Sequence, residues 1–439
     1  MRISPSQTIV LYFLSLILLG SFLLSLPVSA ARGENVPLID AIFTATSAIC
    51  VTGLTTVDIG ATFSLAGQII ILVWIQLGGL GYMTLATLIA VAIGKVSIKD
   101  KLVLREIIDP LSFEGLLSFL KKIIWVTLMF ELAGAIVLTV CFLKRYPLAE
   151  SIYYGIFHSI SGFCNAGLSV LPGGLMSFKN NAAVLLTMAL LIIIGGIGYI
   201  VIMEVGQKIR SGKRFILSLH SRVVIAATLI LIVAGTLVLF LLEFGNPGTW
   251  GGSPSGYKLL NAFFQSVTPR TAGFSTVAVS NLTIPAIFVL IILMFIGASP
   301  GGTGGGIKTT TFSVLFMTLF SILSGKKNMN VFKRRIPNDI IMRSLTIFAG
   351  SIFLLAISIF LLLITQQKSS LHLIFEAVSA FSTVGLSLGV TPQLSNFGKL
   401  LIILVMLAGR VGPLTLGIAL LFSEDRVDLK FPEEKIMVG

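Results

Sequence analysis

Four short segments carry the residues best suited to chemistry, and that chemistry is the coordination of a dehydrated cation. They read Ser47-Ala48-Ile49-Cys50-Val51-Thr52-Gly53-Leu54-Thr55, Ser161-Gly162-Phe163-Cys164-Asn165-Ala166-Gly167-Leu168-Ser169, Val267-Thr268-Pro269-Arg270-Thr271-Ala272-Gly273-Phe274-Ser275 and Ser379-Ala380-Phe381-Ser382-Thr383-Val384-Gly385-Leu386-Ser387. Each has one central glycine, then a bulky apolar residue, then Ser or Thr. The central glycines are spaced 114, 106 and 112 residues apart. Glycine reaches dihedrals that a β-carbon obstructs. Backbone carbonyls flanking it can then face one axis and replace an ion's hydration shell. Neutral oxygens suit a monovalent cation, whereas divalent ions call for carboxylates; the four central motifs contain no Asp or Glu. Taken singly, such a glycine reads as a helix-packing residue. Four aligned copies argue for a shared site.

A second unusual stretch runs Gly297-Ala298-Ser299-Pro300-Gly301-Gly302-Thr303-Gly304-Gly305-Gly306-Ile307-Lys308-Thr309. Six glycines and a proline cannot stay in a regular helix. It differs from a phosphate-binding loop because Ile307 separates Gly306 from Lys308 and no strand precedes it. The expectation is a flexible loop below the four glycines, with Ala298, Ser299, Pro300, Gly301, Gly302, Thr303, Gly304, Gly305, Gly306 and Lys308 as gate residues. Arg410, 25 residues after Gly385, joins them. A cation inside an apolar run is costly, about 2.5–3.5 kcal/mol on insertion scales. At mid-span on a pore-lining helix it repels cations; the bland alternative is a purely structural pairing with a carboxylate or carbonyls. Lys308 could instead snorkel to an interface.

The elements that position these segments follow from hydropathy. Only 11% of the 439 residues are charged and 55% are hydrophobic, giving a mean hydropathy of +1.01. A soluble domain carries about 25% charged residues. Apolar runs long enough to cross a membrane fall near 8–28, 119–143, 221–244 and 340–365, alternating with 66–94, 182–207, 285–323 and 398–422. The first run is followed by Val28-Ser29-Ala30, which could pass for a signal cleavage site, but its length reads as a retained helix. A glycine-segment lies between the members of each pair, and a second glycine-rich echo follows: Gly78-Gly79-Leu80-Gly81-Tyr82, Gly195-Gly196-Ile197-Gly198-Tyr199, the Gly297 region and Gly409-Arg410-Val411-Gly412. Two landmarks recurring four times in one order mark an internal repeat.

The predicted fold is therefore an all-α membrane protein. It has four parallel helix–pore-loop–helix repeats, eight transmembrane helices in all, around a pseudo-fourfold pore. The repeats are 1–95, 96–210, 211–325 with a broken second helix, and 326–439 with a C-terminal tail. Two spans per repeat give all four the same orientation, unlike inverted-repeat transporters. Most lysines and arginines fall in 1–8, 95–122, 207–222, 324–343 and 423–439; the opposite side holds Arg32, Lys144, Arg145, Lys179, Lys258, Arg270, Lys368 and Lys399. That asymmetry puts both termini in the cytoplasm of a plasma-membrane protein. The net charge of +13 thus reflects membrane topology rather than nucleic-acid binding. Three cysteines, Cys50, Cys141 and Cys164, provide no disulfide framework and read as small buried residues. His158 and Glu376, each nine positions before a central glycine, could tune the outer field or brace the scaffold by hydrogen bonds. Glu131, in a span, receives no assignment. Paired catalytic carboxylates and metal-ligand clusters are not evident, so an enzyme is disfavoured. A secondary transporter with a midplane organic-substrate site is the main rival class.

On these motifs the chain resembles the Trk/Ktr/HKT superfamily of K⁺ transporters over nearly its whole length, most closely the membrane subunits of bacterial Ktr systems. The matching residues are the four glycine-segments, including Cys164-Asn165-Ala166-Gly167 and Arg270-Thr271-Ala272-Gly273, and the Gly-rich third repeat. Thr383-Val384-Gly385 is also the core of the K⁺-channel filter sequence. Relatives of the TrkH type carry an extra N-terminal helix pair that is not seen here, and plant Na⁺-selective relatives have Ser in place of the first filter glycine, here Gly53. The resemblance implies a K⁺ selectivity filter at Val51-Thr52-Gly53, Asn165-Ala166-Gly167, Thr271-Ala272-Gly273 and Thr383-Val384-Gly385, with K⁺ at the backbone carbonyls. It implies an intramembrane-loop gate and a constriction at Arg410. It further implies a homodimer in membrane lipid, resting on a cytosolic ring of RCK-type subunits that bind the regulatory nucleotide. No covalent cofactor is expected on this chain, and Na⁺ stays open as an activator or coupling ion.

Overall fold

The computed structural model describes residues 5–92 except 32 and 34, 113–211, 216–325 and 329–420. The basic segments expected at one membrane face, 95–122 and 423–439 above all, lie wholly or largely outside them.

Helices dominate. In chain order they are α1 (Pro5–Ser25), α2 (Leu38–Ile49), α3 (Ile59–Thr62), α4 (Leu65–Ala92), α5 (Phe113–Phe142), α6 (Leu148–Phe163), α7 (Ala182–Ile197), α8 (Tyr199–Ser211), α9 (Leu219–Glu243), α10 (Ser255–Val267), α11 (Ile284–Phe295), α12 (Thr309–Leu323), α13 (Asn338–Thr365), α14 (Ser370–Phe381), α15 (Asn396–Val411) and α16 (Pro413–Leu420). Two residue pairs, Asn330–Val331 and Arg334–Arg335, form a small antiparallel hairpin.

The long helices are turned inside out relative to a water-soluble protein. α1 exposes Leu18 and Phe22 and buries Phe13 and Ser21, while α13 exposes Phe353 and Phe360 and buries Ser351 and Ser358. In water such continuous apolar exposure would drive association; in lipid it is the stable face. Ser21, Thr236 and Ser358 donate within their own helices, to Ile17 O, Ile232 O and Leu354 O, so such small polar residues can line tight helix contacts.

Four helices, α2, α6, α10 and α14, have 12 to 16 residues. At 1.5 Å per residue they reach roughly 18–24 Å, short of a membrane crossing. Pro37, Pro147 and Pro254 start three of them, where a missing N–H costs nothing. Three end four residues before a central glycine, at Ile49, Phe163 and Phe381, and α10 ends at Val267, six residues before Gly273.

Among the described residues four helices are long and apolar enough to span a membrane, and up to six spans result if each bent pair counts as one. Four of the expected eight runs are interrupted: 66–94 at Gly81, 182–207 at Gly198, 285–323 between α11 and α12, and 398–422 at Gly412. The interruption expected of the third repeat thus recurs in the other three. α7 and α8 meet at 105°, and α15 and α16 at 100°. The breaks fall on Gly81 (φ 78°, ψ 159°), Gly198 (φ 98°, ψ 139°) and Gly412 (φ 92°, ψ 139°), a region of backbone space open essentially to glycine. A single glycine in an apolar run costs only about 1 kcal/mol of helix propensity, too little for the sequence pattern to reveal the break.

Candidate functional site

The four glycine-segments share one backbone conformation. Val51, Asn165, Thr271 and Thr383, each two residues before a central glycine, have φ of 55°, 58°, 69° and 49°. Gly53, Gly167, Gly273 and Gly385 follow at 95°, 69°, 69° and 92°. Positive φ in β-branched residues is strained, and such strain concentrates at functional sites. The turn is held locally. Thr52, Ala166 and Val384 donate their N–H groups to the carbonyls of Ser47, Ser161 and Ser379, each at 2.8 Å. Ser47 Oγ accepts from Gly53 N at 3.0 Å and Ser379 Oγ from Gly385 N at 3.1 Å. In the second segment Ser161 Oγ instead donates to Leu168 O, and in the third Thr268 Oγ1 donates to Phe274 O.

The glycines close on one another. A β-carbon at Gly53 would lie 2.8 Å from Ala166 O, and one at Gly167 would lie 2.7 Å from Ala272 O. One at Gly273 would strike Val384 O, and one at Gly385 would strike Thr52 O. The series runs from the first segment to the second, third and fourth and back to the first. The twelve residues singled out from the sequence are therefore brought together as a closed ring. The short helices end near it, and helix C-termini carry partial negative charge that favours a cation.

On one side of the ring is a cavity of about 360 Å³, lined by all four glycines and by Thr55, Ser169, Ser275 and Ser387 among others. These hydroxyl residues sit two positions after each glycine and three are braced from the short helices. His158 Nε2 lies 2.8 Å from Ser169 Oγ, Gln265 Oε1 accepts from Ser275 Oγ at 3.3 Å, and Glu376 Oε1 accepts from Ser387 Oγ at 2.6 Å. Of the two roles weighed for His158 and Glu376, scaffold bracing is the one with atoms in place.

On the other side the Gly-rich stretch folds back as a hairpin-like loop. Its stem closes where Gly297 N donates to Ile307 O at 2.9 Å. Gly305 N donates to Thr383 Oγ1 at 3.0 Å, directly against the ring. A β-carbon at Gly304 would collide with the Thr271 side chain. Ser299 N and Thr303 N donate to Gly196 O and Gly195 O at 3.0 and 3.1 Å, Gly306 N to Gly409 O at 3.4 Å, and Tyr199 N to Gly301 O at 3.1 Å. Ala298, Ser299 and Thr303 are fully buried, while Pro300 and Gly301 form the more open tip. Both cations act on this loop. Lys308 Nζ turns inward and donates to Gly304 O at 2.7 Å rather than snorkelling. The Arg410 guanidinium donates to Thr303 O and to Gly78 O, tying the loop to α4. Structural pairing and a place under the ring are thus one arrangement for Arg410.

Sequence reasoning missed Gln265, and it gave no bracing role to Ser47, Ser161 and Ser379 and no loop-receiving role to the glycine pair Gly195-Gly196. The recurrence of Ser six positions before three of the central glycines was the available signal. Cys50 and Cys164 are buried free thiols, and Cys141 is half-buried and also free.

Residues 3–427 match the family model for TrkH, described as a cation transport protein. The chain is 38% identical to the Ktr system potassium uptake protein B of Bacillus subtilis, covering 100% of this chain and 97% of that one. It is 40% identical to the protein of the same name from Vibrio alginolyticus, over 99% and 94% of the two chains. With the potassium/sodium uptake protein NtpJ of Enterococcus hirae the identity is 38%, over 100% and 98%. In fold it is similar to the crystal structure of the potassium transporter TrkH from Vibrio parahaemolyticus, with a TM-score of 0.75 at 21% identity, covering 94% of this chain and 83% of that one.

Proposed function

The chain belongs to the TrkH family of cation transport proteins, and we propose that it takes up K⁺ across the plasma membrane through the ring of four glycine-segments. It is an integral membrane transporter and not an enzyme. The observation that carries the reading is the closed series of contacts from Gly53 through Gly167, Gly273 and Gly385 back to Gly53. The relatives' names, potassium uptake in two and potassium/sodium uptake in a third, support the choice of ion and leave Na⁺ as an activator or coupling ion.

In this reading each repeat contributes one segment to a selectivity filter. K⁺ sheds water in the outer cavity and is received by the carbonyls of Val51-Thr52-Gly53, Asn165-Ala166-Gly167, Thr271-Ala272-Gly273 and Thr383-Val384-Gly385. Neutral oxygens in a strained, braced backbone replace its hydration shell. Below, the loop from Ala298 to Gly306 obstructs the path, and Arg410 and Lys308 hold its carbonyls while adding positive charge. Opening requires those contacts to let go. Both termini face the cytoplasm, where a separate nucleotide-binding subunit docks on a homodimer of this chain and drives that release; the naming of two relatives as parts of a system supports such a partner.

Ion flux from the purified protein in liposomes tests the reading. K⁺ and Rb⁺ flux exceeding Na⁺ flux is expected; flux of organic solutes without K⁺ would favour a secondary transporter and overturn it.

A further inference from the structure

The buried acids among the described residues are answered within the chain. Asp40 takes Lys399, Glu131 takes Gln76 of α4 and faces the Cys164 thiol, Glu243 takes Asn246, Thr249 and Thr283, and Glu376 takes Ser387 and Thr391. The cations beside one polar pocket are not answered in this way. The pocket measures about 380 Å³ and lies where α5 ends and α7 begins; its walls include Lys144, Arg145, Ser177, Asn180, Asn181 and Tyr257.

Lys144 and Arg145 stand just beyond the spanning stretch Leu120–Phe142, and both are exposed. Arg145 is already held in place. Its Nη1 donates to Ser177 O at 2.9 Å, and its guanidinium carbon lies 4.9 Å from the centre of the Phe178 ring. The other N–H groups of its fork are left for a ligand. Lys144 Nζ makes no hydrogen bond or ion pair among the described residues. Asn181 Oδ1 accepts from Val184 N at 3.2 Å and caps α7, whose first turn adds partial positive charge. The segments around the pocket, 141–182 and 244–260, hold Lys144, Arg145, Lys179 and Lys258 against one acid, Glu150. Lys258 is engaged elsewhere, donating to Phe244 O at 2.9 Å.

Along the same two helices the surface turns apolar. α5 exposes Ile136 and Val140, α7 exposes Leu186 and Leu190, and the two helices pack against each other. A cationic pocket at the end of apolar, membrane-embedded helices matches a phospholipid, whose phosphate sits above its tails. The wall of the pocket also has a second face. In the 3₁₀ turn Gly174–Phe178, Gly174, Leu175 and Met176 line the cavity beside the ring, whereas Ser177 and Phe178 line the pocket. Phe178 anchors that turn, buried with its ring centre 5.0 Å from that of Phe142.

We propose that this pocket binds the phosphate of an anionic phospholipid through Lys144 and Arg145, and that the bound headgroup, through Arg145, steadies the turn that walls the cavity beside the ring. Arg145 bridges the two: its fork reaches the phosphate while one N–H stays on Ser177 O. A planar guanidinium suits that double contact, and a lysine supplies the second charge. The acyl tails run outside the pocket, along α5 and α7. The site is independent of which ion the ring passes.

The test is lipid binding by the purified protein in detergent. Native mass spectrometry and the thermal transition are followed as phosphatidylglycerol or phosphatidylcholine is added. Phosphatidylglycerol should be retained in preference and should raise the transition. Lys144→Gln removes a side chain with no partner in the fold, so the lipid-free transition should stay unchanged. Its affinity for phosphatidylglycerol should fall about tenfold, the loss of one charge-assisted contact. Arg145→Gln should weaken binding as well and lower the lipid-free transition, because Ser177 O and Phe178 lose their partner. Hydrogen exchange of 174–178 should slow on adding phosphatidylglycerol to the unaltered protein and not to Lys144→Gln. Equal retention of the two lipids, or unaltered retention in Lys144→Gln, would overturn the site. Inorganic phosphate giving the same Lys144-dependent rise in transition as phosphatidylglycerol would overturn a lipid as the ligand. Exchange at 174–178 that ignores the lipid would overturn the link to the cavity wall.

Discussion

Lys399 Nζ donates to Asp40 Oδ1 at 2.7 Å, across 359 residues of chain. The pair ties α15, which follows the fourth ring segment, to α2, which precedes the first, and so clamps the ring where its two ends meet. Both side chains are nearly buried, 12% and 10% exposed. Removing one partner strands the other charge, so Asp40→Asn should cost about 3 kcal/mol, read as a lower thermal transition in detergent. The double change Asp40→Leu with Lys399→Met should recover most of that loss; additive losses would contradict the clamp.

The serine braces predict a milder defect confined to selectivity. Ser379→Ala leaves the part-buried Gly385 N–H without its acceptor, a loss of roughly 1 kcal/mol. The expected outcome is a several-fold lower K⁺ over Na⁺ flux ratio with total flux retained, and Ser47→Ala should act the same way at Gly53. An unaltered ratio in both would show that the segments need no such support.

The loop beneath the ring predicts a gain of flux. Arg410→Gln removes its tie to Thr303 and Gly78 together with a positive charge, and deletion of 301–306 removes the obstruction itself. Each should raise K⁺ flux in liposomes, the deletion more. A folded deletion protein with lost flux would end the assignment of this loop as a gate.

Two glycine breaks separate strain from contact. Gly198→Ala and Gly412→Ala both force a side chain onto positive φ, at 98° and 92°, costing about 1–3 kcal/mol each. A β-carbon at Gly198 would lie 2.5 Å from Pro300 O at the loop tip, whereas one at Gly412 meets open space. Both variants should lose thermal stability, but only Gly198→Ala should also change flux.

The ring was legible in the sequence because its determinants are local. A lone glycine between small or β-branched residues and a bulky apolar residue is conspicuous, and repetition at near-equal spacing supplied the symmetry. Gly301 to Gly306 were legible for a related reason, since no helix tolerates them. What escaped depends on distant backbone. Gly81, Gly198 and Gly412 look like packing glycines until their ψ values are known. The acceptors of Arg410 are carbonyls, which every residue has, so nothing in the pattern paired Arg410 with Gly78 or Thr303, although both lie in segments that stood out. Gln265 sits eight positions before its glycine, where His158 and Glu376 sit nine before theirs, so the brace was out of register with its counterparts. Glu131 was visible as an anomaly, but its partners come from α4 and the second ring segment.

In the proposed function Gly53, Gly167, Gly273 and Gly385 act together as one cation-selective ring. Gly53→Ser tests it most directly, because a side chain there would press on Ala166 O and Gly167 at a φ of 95°. The measurement is the K⁺ over Na⁺ flux ratio of the purified variant in liposomes beside the unaltered protein. The ratio should fall about tenfold or more, equivalent to at least ~1.4 kcal/mol of lost discrimination. A folded variant with the ratio of the unaltered protein would contradict it.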